Sequence, residues 1–232
     1  QEANSLEEAY SFLLRVRNEL HFRSKRPVDI LHLEKQPEVA LGLGYQEEDI
    51  FRRVELFMGD YYSKARTINQ LSGILEQRLV HASSGSTSSI SFKNVIKAYQ
   101  SPPAQEVDGF ELNGQQLSTQ NPQLFDEDPE RVIRLFRHSQ RLSARLSPDL
   151  RSLVRNRLSL IDSNLINSQS ANVTFRSILQ EIGNVSPTLC EMHELGVLGR
   201  FVPEFGRLTC KVQHDLYHRF TADIHVLHCI TT

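Results

Sequence analysis

The sequence predicts an all-α protein, a helical bundle with one minor β-hairpin, in which a Ser/Gly/Pro-rich linker joins two helical blocks. Three observations predict it. Apolar residues recur at three- and four-residue spacing over 1–81 and again over 128–232. Between them, 82–127 carries a Ser/Gly stretch from Ala82 to Ser89 and the Pro102-Pro103 pair. That segment also holds a single Asn-Gly signal, Asn113-Gly114, between short alternating runs, which predicts the hairpin.

In the first block, Ser5 and Glu8 fit a capping box. Leu6, Tyr10, Leu13, Leu14, Arg17 and Leu20 follow as a mostly apolar stripe, and Arg26-Pro27 ends that helix. Asp29 is placed to cap a second helix, which carries Leu31, Leu33 and Val39 and stops near Gly42 and Gly44. A third helix is expected from about Glu47. Ile50, Val54, Phe57, Met58, Tyr61, Ala65, Ile68, Leu71, Leu75 and Leu79 carry it past Gly73, which weakens its continuity. In the last block, Asp128-Pro129, Ser147-Pro148 and Ser186-Pro187 each put a cap residue before a proline at the first helical position. The helices there carry Val132, Ile133, Leu135, Phe136 and Leu142, then Leu150, Leu153, Val154, Leu158 and Ile161. A further one carries Phe175, Ile178, Leu179 and Ile182 and stops at Gly183. A final helix is expected after Thr221.

Composition narrows the function classes. With 39% hydrophobic and 23% charged residues, the 232-residue chain reads as soluble and globular. A net charge of −2 gives no electrostatic footprint for nucleic acid. No apolar run approaches the roughly 20 residues a membrane helix needs, and the start is charged and helical rather than a signal peptide. Cys190, Cys210 and Cys229 form no CxxC pair, so free thiols in a reducing cytoplasm are expected rather than structural zinc. A start at Gln1 and an end just after a helix-like run suggest a piece of a longer protein.

Two strings carry a family resemblance. The first is Phe12-Leu13-Leu14-Arg15-Val16-Arg17-Asn18-Glu19-Leu20-His21, with Arg26, Asp29, Leu31 and the run from Gln36 to Tyr45. Phe57-Met58-Gly59-Asp60-Tyr61-Tyr62 and Ala65-Arg66 continue it. The second runs from Met192 to Arg207 and on through Gln213-His214-Asp215-Leu216-Tyr217-His218-Arg219-Phe220-Thr221-Ala222-Asp223-Ile224-His225. Together they resemble the bacterial PII uridylyltransferases. The second follows that family's pattern Gln-x-Asp-x-Tyr-His-x-aromatic-Thr-x-Asp-x-His at every fixed position. Ile224 and Val226 depart from the Glu and Thr more usual there.

The resemblance implies an enzyme that transfers UMP from UTP to a tyrosine of the nitrogen-signalling PII protein and removes it again, with glutamine setting the balance. It implies magnesium or another divalent metal, a cytoplasmic location and a monomer. It divides the chain into a helical region associated with the nucleotidyltransferase palm (1–81), a linker or insert (82–127), and a helical region leading into a His-Asp-type hydrolytic domain (128–232).

It also implies a first metal ligand, His225, whose companions are expected beyond Thr232. Asp215, His218 and Asp223 are candidate supporting groups around it. His214-Asp215 precedes that ligand and is not the signature pair. His214 and His218, at i and i+4, lack an evident third ligand. Ser84-Gly85-Ser86 lacks a following strand with Asp-x-Asp, and Asp126-Glu127-Asp128 reads as a helix cap. No catalytic residue is therefore expected within the chain, and the isolated chain is expected to be inactive. Tyr217 and Phe220 read as core, and Cys190 and Cys229 as buried small hydrophobes. Arg15, Asn18, His21 and Arg26 read as helix-contact residues, with a nucleotide cleft as the other reading. Arg23, Lys25 and Arg26 together read as a solvated loop. Two rivals stand beside this: a glutamine synthetase adenylyltransferase-like enzyme, against which the run from Gln213 to His225 argues, and a non-catalytic helical interaction module.

Overall fold

The computed structural model describes residues 2–85, 105–212 and 220–231. The chain divides into two compact units, Gln1–Gly73 with Arg207–Cys229, and Ile74–Gly206 with Ile230–Thr232. The described residues are mostly helical with a four-stranded mixed sheet, so the all-α expectation holds only in its helical part.

In the first unit, α1 (Glu2–Ser24) starts before Ser5, so no capping box forms there. It buries Ala9, Val16 and Leu20, with Phe12 packed beside them, while Tyr10 and Leu14 face outward. The buried stripe lies beside the expected one. Apolar residues occupy more than half of this helix's circumference, so periodicity alone does not choose the inner face. Asp29 does not cap; its Oδ1 accepts a 2.8 Å hydrogen bond from Arg17 Nε. A 3₁₀ turn (Leu33–Lys35) leads instead into α2 (Gln36–Gly42). The helix α3 (Ile50–Gly85) runs 36 residues through Gly73. Val54, Phe57 and Met58 on α3 meet Val16, Leu20, Val39 and Ala40 in one core, and Val212 packs against it. Tyr45 stacks edge-on against Phe57 and donates from its hydroxyl to Asp60 Oδ2 at 2.6 Å.

The second unit opens with a sheet that the sequence reading only half anticipated. β1 (Gln105–Val107), β2 (Phe110–Asn113) and β3 (Gln116–Ser118) are antiparallel, and β4 (Arg145–Leu146) joins β3 in parallel. The expected hairpin is β2–β3. Its loop is Gly114-Gln115, with positive φ at Gly114 alone, the pattern of a type II′ turn. The hairpin not anticipated is β1–β2. Asp108 and Gly109 both take positive φ between the paired Val107 and Phe110, as a type I′ turn demands. Phe110, Leu117 and Phe125 are fully buried, so this segment supplies core as well as connection.

Helices complete the unit. After the short α4 (Leu124–Glu127), α5 (Arg131–Leu142) buries Val132, Ile133, Leu135 and Phe136; Leu142 is half-buried. It packs chiefly on α8 (Gln169–Leu179). Buried Gln140 holds the two together, its amide donating to the carbonyls of Ile178 and Asn184, both at 3.1 Å. Between them lie α6 (Pro148–Asn156) and α7 (Ser163–Asn167). Then come α9 (Val185–Glu194), α10 (Val197–Phe201) and α11 (Pro203–Gly206).

Of the three Pro-linked caps, Ser147 alone performs as expected, its hydroxyl accepting the Leu150 N–H at 3.2 Å. Asp128 does accept the N–H two residues on, from Glu130 at 3.1 Å, but α5 begins only at Arg131, and the carboxylate also pairs with Arg134. Ser186 lies inside α9, whose N-cap is Asn184. Ile182 lies beyond the end of α8 and is 98% exposed, so it is no part of that helix's buried face.

Candidate metal centre at the last helix

The implied ligand His225 lies on α12 (Ala222–Thr231), the helix expected after Thr221. Asp223 and Leu227 are buried on it, as is Thr221 just before it, whereas His225, Val226, His228 and Cys229 are exposed. The reason is helical spacing. Residues two apart are about 200° apart around the axis, and residues four apart nearly overlie. Asp223 and Leu227 therefore share the inward face, and His225 takes the other. The helix start is held by the Ala222 N–H donating to the Lys211 carbonyl at 2.9 Å, and His225 N–H returns to the Thr221 carbonyl at 2.9 Å.

Asp223 is 2% exposed, and a carboxylate so buried needs compensation. Two groups within the same unit act on its Oδ2. The Cys210 backbone N–H donates to Asp223 Oδ2 at 3.2 Å. Arg66 on α3 brings Nη1 to 3.8 Å from the same oxygen. Cys210 sits at φ +57, in the left-handed region uncommon for a residue with a side chain. Burial pushes the Cys210 thiol up, and the Asp223 charge adds to this, while Arg66 opposes it. The thiol is thereby kept protonated and is a poor nucleophile.

Of the sequence-predicted residues, Asp223 and His225 share the helix but face apart, so they do not converge on one point. Asp215 and His218 lie outside the described residues, as do His214 and Tyr217. Phe220 is half exposed and stacks edge-on against His228 at 4.7 Å; it is not core. Cys229 is exposed and Cys190 half-buried, so neither is the fully buried hydrophobe expected. Arg15 and Asn18 are exposed on α1, and His21 lies 3.5 Å from Asp29 Oδ1. Asp126, Glu127 and Asp128 are each paired with an arginine, respectively Arg157, Arg131 and Arg134.

Among the described residues no three His, Cys, Asp or Glu side chains group as a metal ion would require. The His225 imidazole is suited to a divalent metal by its chemistry, but the described residues do not by themselves make a metal centre. Sequence reasoning missed Arg66 and Cys210. Arg66 stands in a string that carries the resemblance, but no spacing rule connects it to a residue near the other end of the chain.

Comparison with known proteins agrees with the resemblance. Residues 1–76 match the family described as GlnD PII-uridylyltransferase, and residues 110–201 match the Uridylyltransferase GlnD third domain. The chain is 33% identical to a bifunctional uridylyltransferase/uridylyl-removing enzyme of Rhodopseudomonas palustris, over 94% of its own length and 24% of the relative's. Enzymes of the same description from Caulobacter vibrioides (32%) and Phenylobacterium zucineum (33%) are matched over 99% of the chain, again across 24% of their length. The chain therefore spans about a quarter of the relatives it matches. No solved structure matches it.

Proposed function

We propose, from the premise that this chain belongs to the GlnD PII-uridylyltransferase family, that it is part of an enzyme that attaches UMP to the PII signalling protein and removes it. UTP is the donor, uridylylated PII the substrate for removal, and glutamine the signal that sets the balance. The observation that carries this reading is the likeness to bifunctional enzymes along 99% of the chain, through the segment that holds His225. No helix among the described residues is long and apolar enough to cross a membrane. A cytoplasmic monomer handling UTP is the matching proposal.

In this reading residues 1–81 back a nucleotidyltransferase palm, 82–127 connect, and 128–232 lead into the hydrolytic domain. His225 offers its imidazole to a divalent metal, which when bound would activate water against the UMP–tyrosine phosphodiester. The chain's own contribution is to hold that imidazole on the outward side of α12 while Asp223 and Leu227 are fastened inside. The carboxylates Asp126, Glu127 and Asp128 serve arginine pairs rather than catalysis. By itself this part of the enzyme is scaffold and docking surface.

The test is His225→Ala in the longest natural polypeptide that contains this chain. Release of UMP from uridylylated PII should fall by at least about a hundredfold, while transfer of UMP to PII persists. Undiminished release in the variant would sink the assignment of His225. Absence of both activities from the parent polypeptide would sink the family function.

A further inference from the structure

Arg66 lies in the stretch that matches the uridylyltransferase family, residues 1–76. Asp223 and His225 lie beyond both matched stretches. In the first unit Arg66 and Asp223 are brought together. The Arg66 guanidinium lies 3.8 Å from the buried Asp223 carboxylate, which also takes the Cys210 N–H. Asp223 is thus the inward anchor of the turn that presents His225 outward.

We propose that Arg66 is a positioning residue for His225, acting through Asp223. The inference rests on the hydrolytic reading of His225 given above, but its structural half stands without it. A helix of ten residues is short, and its fastening comes from tertiary contacts rather than from propensity. Leu227, one turn beyond Asp223, is the buried apolar residue among the described residues of this helix. A hydrophobic contact resists withdrawal of the helix but does little to oppose rotation about its axis, because burial is non-directional. The hydrogen bond from the Cys210 N–H to Asp223 is directional, and the Arg66 guanidinium at 3.8 Å adds an attraction between charges that keeps the carboxylate facing inward. Together they select which residues of the first turn point inward, and hence where the residue two positions on must point. Removing the guanidinium leaves Asp223 buried with reduced compensation. The first turn of α12 then swings Asp223 toward water and carries His225 with it.

The consequence for the enzyme is specific. A group in the transferase-matched stretch governs the hydrolytic side and not the transfer side. Arg66→Met in the parent polypeptide should lower kcat for UMP removal about tenfold, the scale of a supporting group that orients a ligand. KM for uridylylated PII and the rate of UMP transfer should stay unchanged. Arg66→Lys keeps the cation and should recover most of the removal rate. Asp223→Asn should resemble Arg66→Met, and the double variant should be no worse than either, because both changes break one link.

A second measurement on the present chain reads the structure directly. In Arg66→Met, amide hydrogen exchange should quicken about tenfold across 222–231 and stay unchanged across 131–142 in the other unit. Three results would overturn the proposal: an undiminished removal rate in Arg66→Met, equal loss of transfer and removal, or faster exchange in both segments, which would mark general destabilisation. If His225→Ala leaves removal intact while exchange at 222–231 still responds to Arg66, the hydrolytic reading fails and the anchoring stands. If His225→Ala abolishes removal and Arg66→Met does not lower it, the positioning role fails alone.

Discussion

Arg134 grips Asp108 with two hydrogen bonds, Nε to Oδ2 at 2.7 Å and Nη2 to Oδ1 at 3.1 Å. The pair joins the β1–β2 turn to α5. Arg131 and His138 reach the same carboxylate at 3.3 Å, and Asp128 takes the remaining reach of Arg134 at 2.6 Å. The clamp gives the β1–β2 turn, at the edge of the sheet, a fixed place on the helix.

Breaking the clamp should therefore destabilise the second unit. Asp108→Asn keeps the left-handed turn, which asparagine tolerates, but removes the charge. We expect a loss of about 2 kcal/mol, the scale of charge-assisted hydrogen bonds in a partly buried setting. Urea unfolding monitored in the second unit checks it; an unchanged midpoint would contradict the clamp.

The same carboxyl sets a pH dependence. Burial pushes Asp108 up, but the hydrogen bonds and charge of Arg134, with Arg131 and His138, outweigh it and hold the group below its ordinary 3.8. A carboxyl depressed in the fold contributes stability above its unfolded pKa and loses it as the pH falls through the folded value. Below about pH 4 the wild-type Tm should therefore fall more steeply than that of Asp108→Asn. Parallel curves in thermal scans would refute this.

The two hairpin glycines should respond differently to alanine. At Gly109 (φ +82) an added Cβ would stand 2.6 Å from Leu124 Cδ1, so backbone strain and a steric conflict coincide. At Gly114 (φ +63) nothing lies within 4 Å, and strain acts alone. Gly109→Ala should cost about 2–3 kcal/mol and Gly114→Ala about 1 kcal/mol. Chemical denaturation of both variants tests the order, and a reversal would contradict the turn geometry.

Two serines that both read as caps also separate. Ser147→Ala removes the acceptor of the Leu150 N–H and should cost about 1 kcal/mol. Ser5→Ala, inside α1 and exposed, should be neutral or slightly stabilising because alanine is the better helix former. Tm values of the two variants decide it.

Ile178 and Ile182 make a third contrast, at 0% and 98% exposure. Ile178→Ala should cost about 2–5 kcal/mol through lost burial and a residual cavity. Ile182→Ser should leave the unfolding midpoint where it is. Equal effects would mean that α8 is wrongly bounded.

Local signals in the chain were enough for the helical character of both units, the long α3, the β2–β3 hairpin, the Ser147 cap and the placement of α12 after Thr221. The family resemblance was legible in the two strings that carry it, and the role of His225 is a proposal that rests on that resemblance. The local signals are matters of neighbours in sequence: period, caps and turn residues. The inward face of α1, the pairing of β4 with β3, the grip of Arg134 on Asp108 and the meeting of Arg66 with Asp223 were settled by tertiary structure alone. Each joins residues distant along the chain, and burial decides between alternatives that local propensity leaves nearly equal. Hydrophobic periodicity says that a helix has an inside; it takes the rest of the fold to supply the surface that the inside meets.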